Sequence, residues 1–308
     1  MNKTLGFSVT ILGNSSAIPS QNHHPASQVV VYENQYFLID CGEGTQIQLI
    51  KYKIKYHKID HIFISHMHGD HFFGLIGLIS TYHLLGRKRA LNIYGPVNLK
   101  QIIERLLDAA YTKLKFDLIF HSLKNNNQSM LFEDKKLSVY SFPLNHRIPT
   151  WGFIFKENPK QLRIKKSFVE ESKPSIEEII NIKDGEDYMN SENQIIPNET
   201  ITHASPKLLS YAYCSDTKYD ESILEYIKDV SLLFHEATFD SSLQDLASEK
   251  FHSTARDAAI IAKKSNAGKL ILGHFSARYK DLNILFEEAA DVFNPTILSE
   301  EGLEYFIS

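Results

Sequence analysis

The chain has 308 residues, 43% of them hydrophobic and 23% charged, with a formal net charge of -4. That is the make-up of a globular protein with apolar side chains for one large core, and it excludes extended disorder as the organising state. The length admits two domains or a single large α/β domain, and the mild negative charge means that any contact with a polyanion would rest on a local basic patch.

Short β-branched and aromatic runs predict strands at residues 7–12 (FSVTIL), 28–33, 35–40, 61–65, 91–95, 137–144, 151–155, 209–214, 231–236 and 269–274. Apolar residues at three- and four-residue spacing predict helices over 44–54, 72–85, 98–112, 254–265 and 282–293. Hairpins followed by alternating helices and strands predict a sheet sandwiched by helices. The opening apolar stretch is too short for a signal sequence, and no apolar run reaches the roughly 18 residues of a membrane span, so a cytoplasmic protein without a membrane segment is expected. Cys41 and Cys214 are too few for a disulfide framework and fit a reducing compartment.

From about residue 157 to residue 202 the pattern breaks. The stretch is polar and interrupted by prolines; it opens with Lys160, Arg163, Lys165 and Lys166 and turns acidic after Val169. It reads as an insertion projecting from a domain that otherwise spans 1–308.

The strongest chemical signal is His66-Met67-His68-Gly69-Asp70-His71, directly after a predicted strand. Imidazoles with a carboxylate form a ligand set suited to zinc, with manganese or iron also compatible. With alternate side chains projecting together from a loop, His66 and His68 can grip one cation while Asp70 and His71 reach a second, and Gly69 allows the tight path between them. His146 lies between two predicted strands, and Asp216 and His274 each end one. Because a carboxylate can give one oxygen to each of two ions, the expected arrangement is His66, His68 and His146 on one metal, Asp70, His71 and His274 on the other, and Asp216 on both. Asp40 and His235 also follow strand-like runs, the placement of a site at the carboxyl edge of a sheet. The remaining histidines, His23, His24, His57, His61, His83, His121 and His203, show no partner pattern and read as surface or packing residues, His23 and His24 being in a loop that could line the site.

The six residues 66–71 match the HxHxDH signature, and the sequence resembles the metallo-β-lactamase superfamily. Joined to Asp40-Cys41-Gly42-Glu43-Gly44-Thr45-Gln46, to LGNSSAIPS, to GLIGLISTYHLLGRKRALNIYGP, to His235-Glu236-Ala237-Thr238-Phe239 with His252-Ser253-Thr254-Ala255, and to Gly273-His274-Phe275-Ser276-Ala277-Arg278-Tyr279, it is similar to the ribonuclease Z family in its short form. The resemblance covers nearly the whole chain. It implies an α/β fold, the four-layer αββα sandwich of the metallo-β-lactamases, and a zinc-dependent endoribonuclease with two Zn2+ per subunit that removes the 3′ trailer from precursor tRNA. It further implies catalytic roles for Asp70, Glu236 and His252, with Glu236 orienting His252 toward the scissile phosphate, and a homodimer. The 157–202 insertion matches the family's tRNA-binding arm, and Lys160, Arg163, Lys165 and Lys166, together with Ser276 and Arg278, are the candidate RNA contacts.

Two stretches depart from the family pattern. SKPSIEEIINIKDGED stands where the arm's glycine-proline motif is usual, and SQNHHPAS stands where an arginine-asparagine pair is more common. The rival readings are a hydrolase of the same fold acting on small phosphodiesters or sulfate esters, and a non-catalytic RNA-binding scaffold. The second expects lost metal ligands, whereas every ligand position is filled here.

Overall fold

A computed structural model describes residues 6–19, 23–124 and 127–308. In chain order, β1 (Phe7–Gly13), β2 (Ser27–Tyr32) and β3 (Gln35–Ile39) form an antiparallel meander. Next come α1 (Thr45–Lys51), β4 (Ile59–Phe63), α2 (Gly69–Phe72), α3 (Leu75–Leu84), β5 (Leu91–Pro96), α4 (Leu99–Ala109) and β6 (Leu118–Leu123), which make β3 to β6 parallel through right-sized helical crossovers. Then β7 (Ser129–Glu133), β8 (Leu137–Leu144) and β9 (Thr150–Glu157) run as antiparallel neighbours.

An inserted segment carries β10 (Arg163–Ile164), α5 (Lys166–Ser172), α6 (Ile176–Lys183), β11 (Tyr188–Met189), β12 (Ile195–Ile196), α7 (Asn198–Ile201) and β13 (Thr202–His203). The chain closes with β14 (Ser210–Cys214), α8 (Leu224–Ile227), β15 (Leu232–Glu236), α9 (Gln244–Lys250), α10 (Ala255–Lys264), β16 (Leu270–Gly273), α11 (Asn283–Ala290), β17 (Thr296–Leu298) and β18 (Glu304–Phe306).

Two seven-stranded sheets result, ordered β18-β1-β2-β3-β4-β5-β6 and β17-β16-β15-β14-β9-β8-β7. Strand alternation sorts their side chains into three apolar layers. Phe37, Ile39 and Phe63 from the first sheet meet Phe153, Phe155, Tyr211 and Tyr213 from the second, with Phe37 and Phe155 ring centroids 5.5 Å apart. The intervening Leu38, Ile62 and Ile64 turn outward onto Leu75, Leu78 and Ile79 of α3 and Ile103 of α4. On the other side Ala212, Leu233 and Leu272 meet Ala258, Ala259 and Ala262 of α10, whose small side chains let the helix lie close to the sheet. Helices thus cover both outer faces, and each fully buried Phe or Leu contributes roughly 1.5–3 kcal/mol. Among the described residues, no helix is long and apolar enough to cross a membrane.

The chain divides into two compact units. One contains the described residues up to Glu133, Leu137–Lys156 and Leu209–Ser308; the other contains Asp134–Lys136 and Glu157–Leu208. The second has its own small core of Phe168, Ile182, Tyr188 and Ile201, so the polar stretch is ordered by local burial that its composition hides. A capping box between Ser175 and Glu178 starts α6. Asn198 ties the segment together by donating to the carbonyls of Ile182 at 2.8 Å and Glu186 at 2.7 Å.

Candidate metal centre

The first unit brings its chemistry-bearing side chains to the carboxyl ends of its central strands. Asp40 follows β3, His66 and His68 follow β4, Asp216 follows β14, Glu236 ends β15 and His274 follows β16, while His146 lies in the β8–β9 connection. Asp70 and His71 sit on the single turn of α2, which begins right after His68 at its N-cap position, rather than in the loop expected from sequence. Gly69 does not take a left-handed conformation; its lack of a side chain makes room for the Phe73 ring, which would stand 2.2 Å from a Cβ there. Gly42 has a comparable task, since a Cβ on it would lie 2.3 Å from the Asp70 carbonyl oxygen. Asp40 (φ 53°) and His274 (φ 58°) are left-handed non-glycine residues, a conformation that tertiary contacts must hold in place.

Seven side chains converge. His68 Nδ1 stands 2.9 Å from His66 Nε2 and 3.2 Å from His146 Nε2. Asp216 Oδ2 lies 3.6 Å from His66 Nε2 and 3.8 Å from His146 Nε2, while its other oxygen lies 3.3 Å from His71 Nε2 and 3.1 Å from His274 Nε2. Asp70 Oδ2 completes that second group, 3.5 Å from His71 Nε2 and 3.6 Å from His274 Nε2. His66, His68 and His146 with Asp216 form one donor group capable of holding a metal ion, and Asp70, His71 and His274 form another; Asp216 Oδ1 adjoins His71 and His274 of the second, and Asp216 also groups with His252 and His274.

The donors fit divalent cations by three tests. Tetrahedral ligands about 2.0–2.2 Å from zinc stand roughly 3.3–3.6 Å apart, close to the spacings here. His71 Nε2, His274 Nε2 and Asp216 Oδ1 are buried without hydrogen-bond partners, although buried polar atoms are nearly always paired. And among the described residues every ion pair of Asp40, Asp70 and Asp216 is with a histidine, so no lysine or arginine neutralises the three carboxylates. Burial opposes charge on His71, yet Asp216, Asp70 and Asp40 hold its imidazole well above the ordinary value, which expresses the same demand for positive charge.

Each imidazole except His68 is anchored at Nδ1. His66 donates to Ser65 Oγ at 3.0 Å, His71 to Asp40 Oδ2 at 2.8 Å and His146 to the Phe251 carbonyl at 2.9 Å, while His274 Nδ1 lies 3.0 Å from Thr238 Oγ1. The first three contacts assign the proton to Nδ1 and leave Nε2 with its lone pair facing inward. Asp40 also accepts from the Ser65 amide (2.7 Å), the Ser65 hydroxyl (2.8 Å) and the Tyr213 hydroxyl (2.8 Å). Sequence reasoning had noted the position of Asp40 but given it no role, and it missed Ser65, Tyr213 and Thr238; the signal within reach was Asp40's place in the DCGEGTQ run.

Glu236 and His252 meet as a pair, His252 Nδ1 donating to Glu236 Oε1 at 2.8 Å. The carboxylate also accepts from the Thr217 amide (2.9 Å), the Thr238 amide (3.1 Å) and the Thr238 hydroxyl (2.6 Å). Burial works against its ionisation, but His252 holds Glu236 below its usual range. Burial likewise disfavours charge on His252, and the Glu236 carboxylate outweighs it, lifting the imidazole to about 9. A cavity of about 440 Å³ opens over the cluster, lined by Ser16, Ala17, Glu43, Phe73 and Arg147 together with His68, Asp70, Asp216 and His252.

Full-length relatives and solved structures agree with this geometry. Residues 7–164 match the family model described as anti-Pycsar protein Apyc1. Over 297 residues, 96% of this chain and 94% of the relative, the sequence is 43% identical to ribonuclease Z of Bacteroides thetaiotaomicron. The chain belongs to the ribonuclease Z family. Membership extends over both units and beyond the Apyc1 match, which stops short of Asp216, Glu236, His252 and His274. The structure of human tRNase Z, short form, is similar at 29% identity with a TM-score of 0.71, covering 98% of this chain and 99% of that one. The metallo-β-lactamase fold protein YhfI from Bacillus subtilis, 18% identical with a TM-score of 0.68 over 97% and 99% of the two chains, shows the same fold. As a member of the ribonuclease Z family the chain is a hydrolase of the nuclease class, with a His/Asp cluster compatible with divalent metal.

The other candidate residues lie elsewhere. Ser276 and Arg278 follow His274 by two and four residues; Arg278 donates to Ser276 Oγ at 3.1 Å and covers the Phe239 ring at 4.8 Å. In the second unit Lys160 pairs with Glu157, Lys166 pairs with Glu170, and Lys165 donates to the Thr200 carbonyl, so three of the four predicted RNA contacts already have local partners. His24 binds Glu301 at 2.9 Å, and neither it nor His23 lines the 440 Å³ cavity. His61 and His121 flank Tyr94 as packing residues. Of the SQNHHPAS loop, Ser20, Gln21 and Asn22 lie outside the described residues.

Proposed function

We propose that this chain is a two-zinc endoribonuclease that removes the 3′ trailer from precursor tRNA. The observation that carries the reading is the pairing of two donor sets sharing Asp216 with a buried Glu236–His252 pair beside the same cavity, in a chain of the ribonuclease Z family. His66, His68 and His146 would hold one zinc and Asp70, His71 and His274 the other, with Asp216 available to both. When bound, the two ions supply Lewis-acid stabilisation of phosphate charge and a lowered pKa for water.

This chain's own residues then do the rest. The Asp70 carboxylate, fixed by the Ala17 amide at 2.8 Å, orients the attacking water. Attack in line on phosphorus expels the 3′ oxygen of the tRNA. His252, its Nδ1 held by Glu236, delivers a proton to that oxygen from Nε2, which gives tRNA with a 3′-hydroxyl and a trailer with a 5′-phosphate. The second unit, with Arg163 and the lysines at its start, binds the tRNA body away from the cut, and Ser276 and Arg278 contact the RNA near the metals. Incubation with a trailer-bearing precursor tRNA is expected to yield these ends, to fail with a chelator, and to weaken on deletion of residues 157–200 while cleavage of an aryl phosphodiester persists. Intact precursor after incubation with the zinc-loaded enzyme would exclude the reading.

The protein is further read as a homodimer. Ile47 and Ile50 of α1 are 66% and 56% exposed and Leu84 of α3 is 81% exposed, apolar area of the kind that subunits cover. Light scattering is expected to give twice the mass of one chain, and a monomer mass would reject the dimer.

A further inference from the structure

The Thr238 hydroxyl lies where the two halves of the centre meet. It stands 2.6 Å from Glu236 Oε2, 3.0 Å from His274 Nδ1, 3.1 Å from the His274 carbonyl oxygen and 3.4 Å from His252 Nδ1. A hydroxyl has one proton to give and two lone pairs to offer. Giving that proton to His274 Nδ1 would leave an oxygen lone pair facing the buried carboxylate at 2.6 Å, a repulsive contact. A 2.6 Å approach to Glu236 is instead the length of a charge-assisted O–H···O⁻ bond, so the proton goes to the carboxylate. His252 Nδ1 has the nearer acceptor in Glu236 Oε1 at 2.8 Å and donates there. The lone pair of Thr238 then faces His274 Nδ1, which must carry a hydrogen to meet it.

We propose that Thr238 is a positioning residue: its hydroxyl, held by Glu236, fixes the hydrogen of His274 on Nδ1 and so presents the Nε2 lone pair to the metal position formed with Asp70, His71 and Asp216. His274 Nε2 is buried with no hydrogen-bond partner and lies 3.1 Å from Asp216 Oδ1, where such a lone pair is needed. One carboxylate, Glu236, therefore orients His252 directly and His274 through one hydroxyl. The residue stands between histidines that do the binding and the proton transfer, and it touches neither substrate nor metal.

The inference rests on the reading of His274 as a ligand, and its test separates the two. Zinc affinity is measured by chelator competition, at both positions, for the wild type, Thr238→Val, which keeps the shape and removes the hydroxyl, and Thr238→Ser, which keeps it. Loss of an outer partner of a metal-bound histidine lowers affinity about 10–100-fold. The expected result is that loss for one of the two ions in Thr238→Val, with the other position unchanged and Thr238→Ser retaining an affinity above that range of loss. In the metal-free proteins, long-range 1H–15N spectra of His274 should show hydrogen on Nδ1 in the wild type and Thr238→Ser, and a mixture of tautomers in Thr238→Val. Two unchanged affinities in Thr238→Val, or an unchanged tautomer, would overturn the role of Thr238. A wild type that binds only one zinc would instead reject the ligand assignment itself. If Thr238→Val does not fold, the wild-type tautomer and the affinities of Thr238→Ser still decide: hydrogen on Nε2 of wild-type His274, or serine losing as much affinity as is expected for valine, would also overturn it.

Discussion

Asp216→Ala is expected to strip metal from both positions and to lower precursor cleavage by more than about 10⁴-fold. Its two oxygens serve different donor sets, one facing His71 and His274, the other His66 and His146. No neighbouring imidazole can substitute, because it offers one lone pair and serves one ion, and the other carboxylate, Asp70, groups with His71 and His274 alone. The carboxylate is also kept charged: burial opposes ionisation, but His274, His71 and His66 hold it well below the usual range. Alanine removes that anion and leaves five imidazoles with Asp70 as the one remaining carboxylate of the donor sets. Two-ion catalysis contributes several kcal/mol to the transition state, and each 1.36 kcal/mol is tenfold in rate, which sets the size of the loss. Metal stoichiometry and single-turnover cleavage on the same preparation test it. A variant with two ions per chain and a wild-type rate would remove Asp216 from the centre.

His252→Ala should separate chemistry from metal binding. Geometry alone leaves two roles open, since His252 also forms a possible donor group with Asp216 and His274. Its Nδ1 is committed to Glu236, and its ring stacks on His274 with centroids 5.5 Å apart. A proton donor in that position contributes about 10²–10⁴-fold, so turnover should fall by that factor while both ions stay bound. The loss should shrink with an aryl leaving group, which departs without a proton. Loss of zinc along with activity would make His252 a ligand and leave the leaving-group proton without a source.

How much of this was legible depended on distance along the chain. The HMHGDH run could be read at once, because its four donors are sequence neighbours. His146, Asp216 and His274 could be read because each adjoins a hydrophobic strand whose end the pattern marks. Thr238 could not, since its importance comes from lying against His274, 36 residues away. Among the elements, β6 and β7 escaped because they are mostly half-exposed edge strands without a clean alternation, and β17 and β18 because three residues carry no period. β4 is displaced by two residues from the predicted 61–65: Ile64 and Ser65 are buried but lie past the paired strand, Ile64 making a last backbone bond to the Tyr94 carbonyl of β5. The helices α5 and α6 escaped because the small core they help build offers only Phe168 and Ile182 from those two segments.

The anchoring of four imidazoles at Nδ1 has a consequence for the order of events. Ser65, Asp40, the Phe251 carbonyl and Thr238 are all set by the fold, and the fold is held by three apolar layers that contain none of the seven candidate metal ligands. Ring orientation is thus set by residues of the fold rather than by the ion. Unlike small zinc domains whose core forms only around their metal, the apolar layers lie apart from the donor set, so removing metal with a chelator is expected to leave the architecture intact.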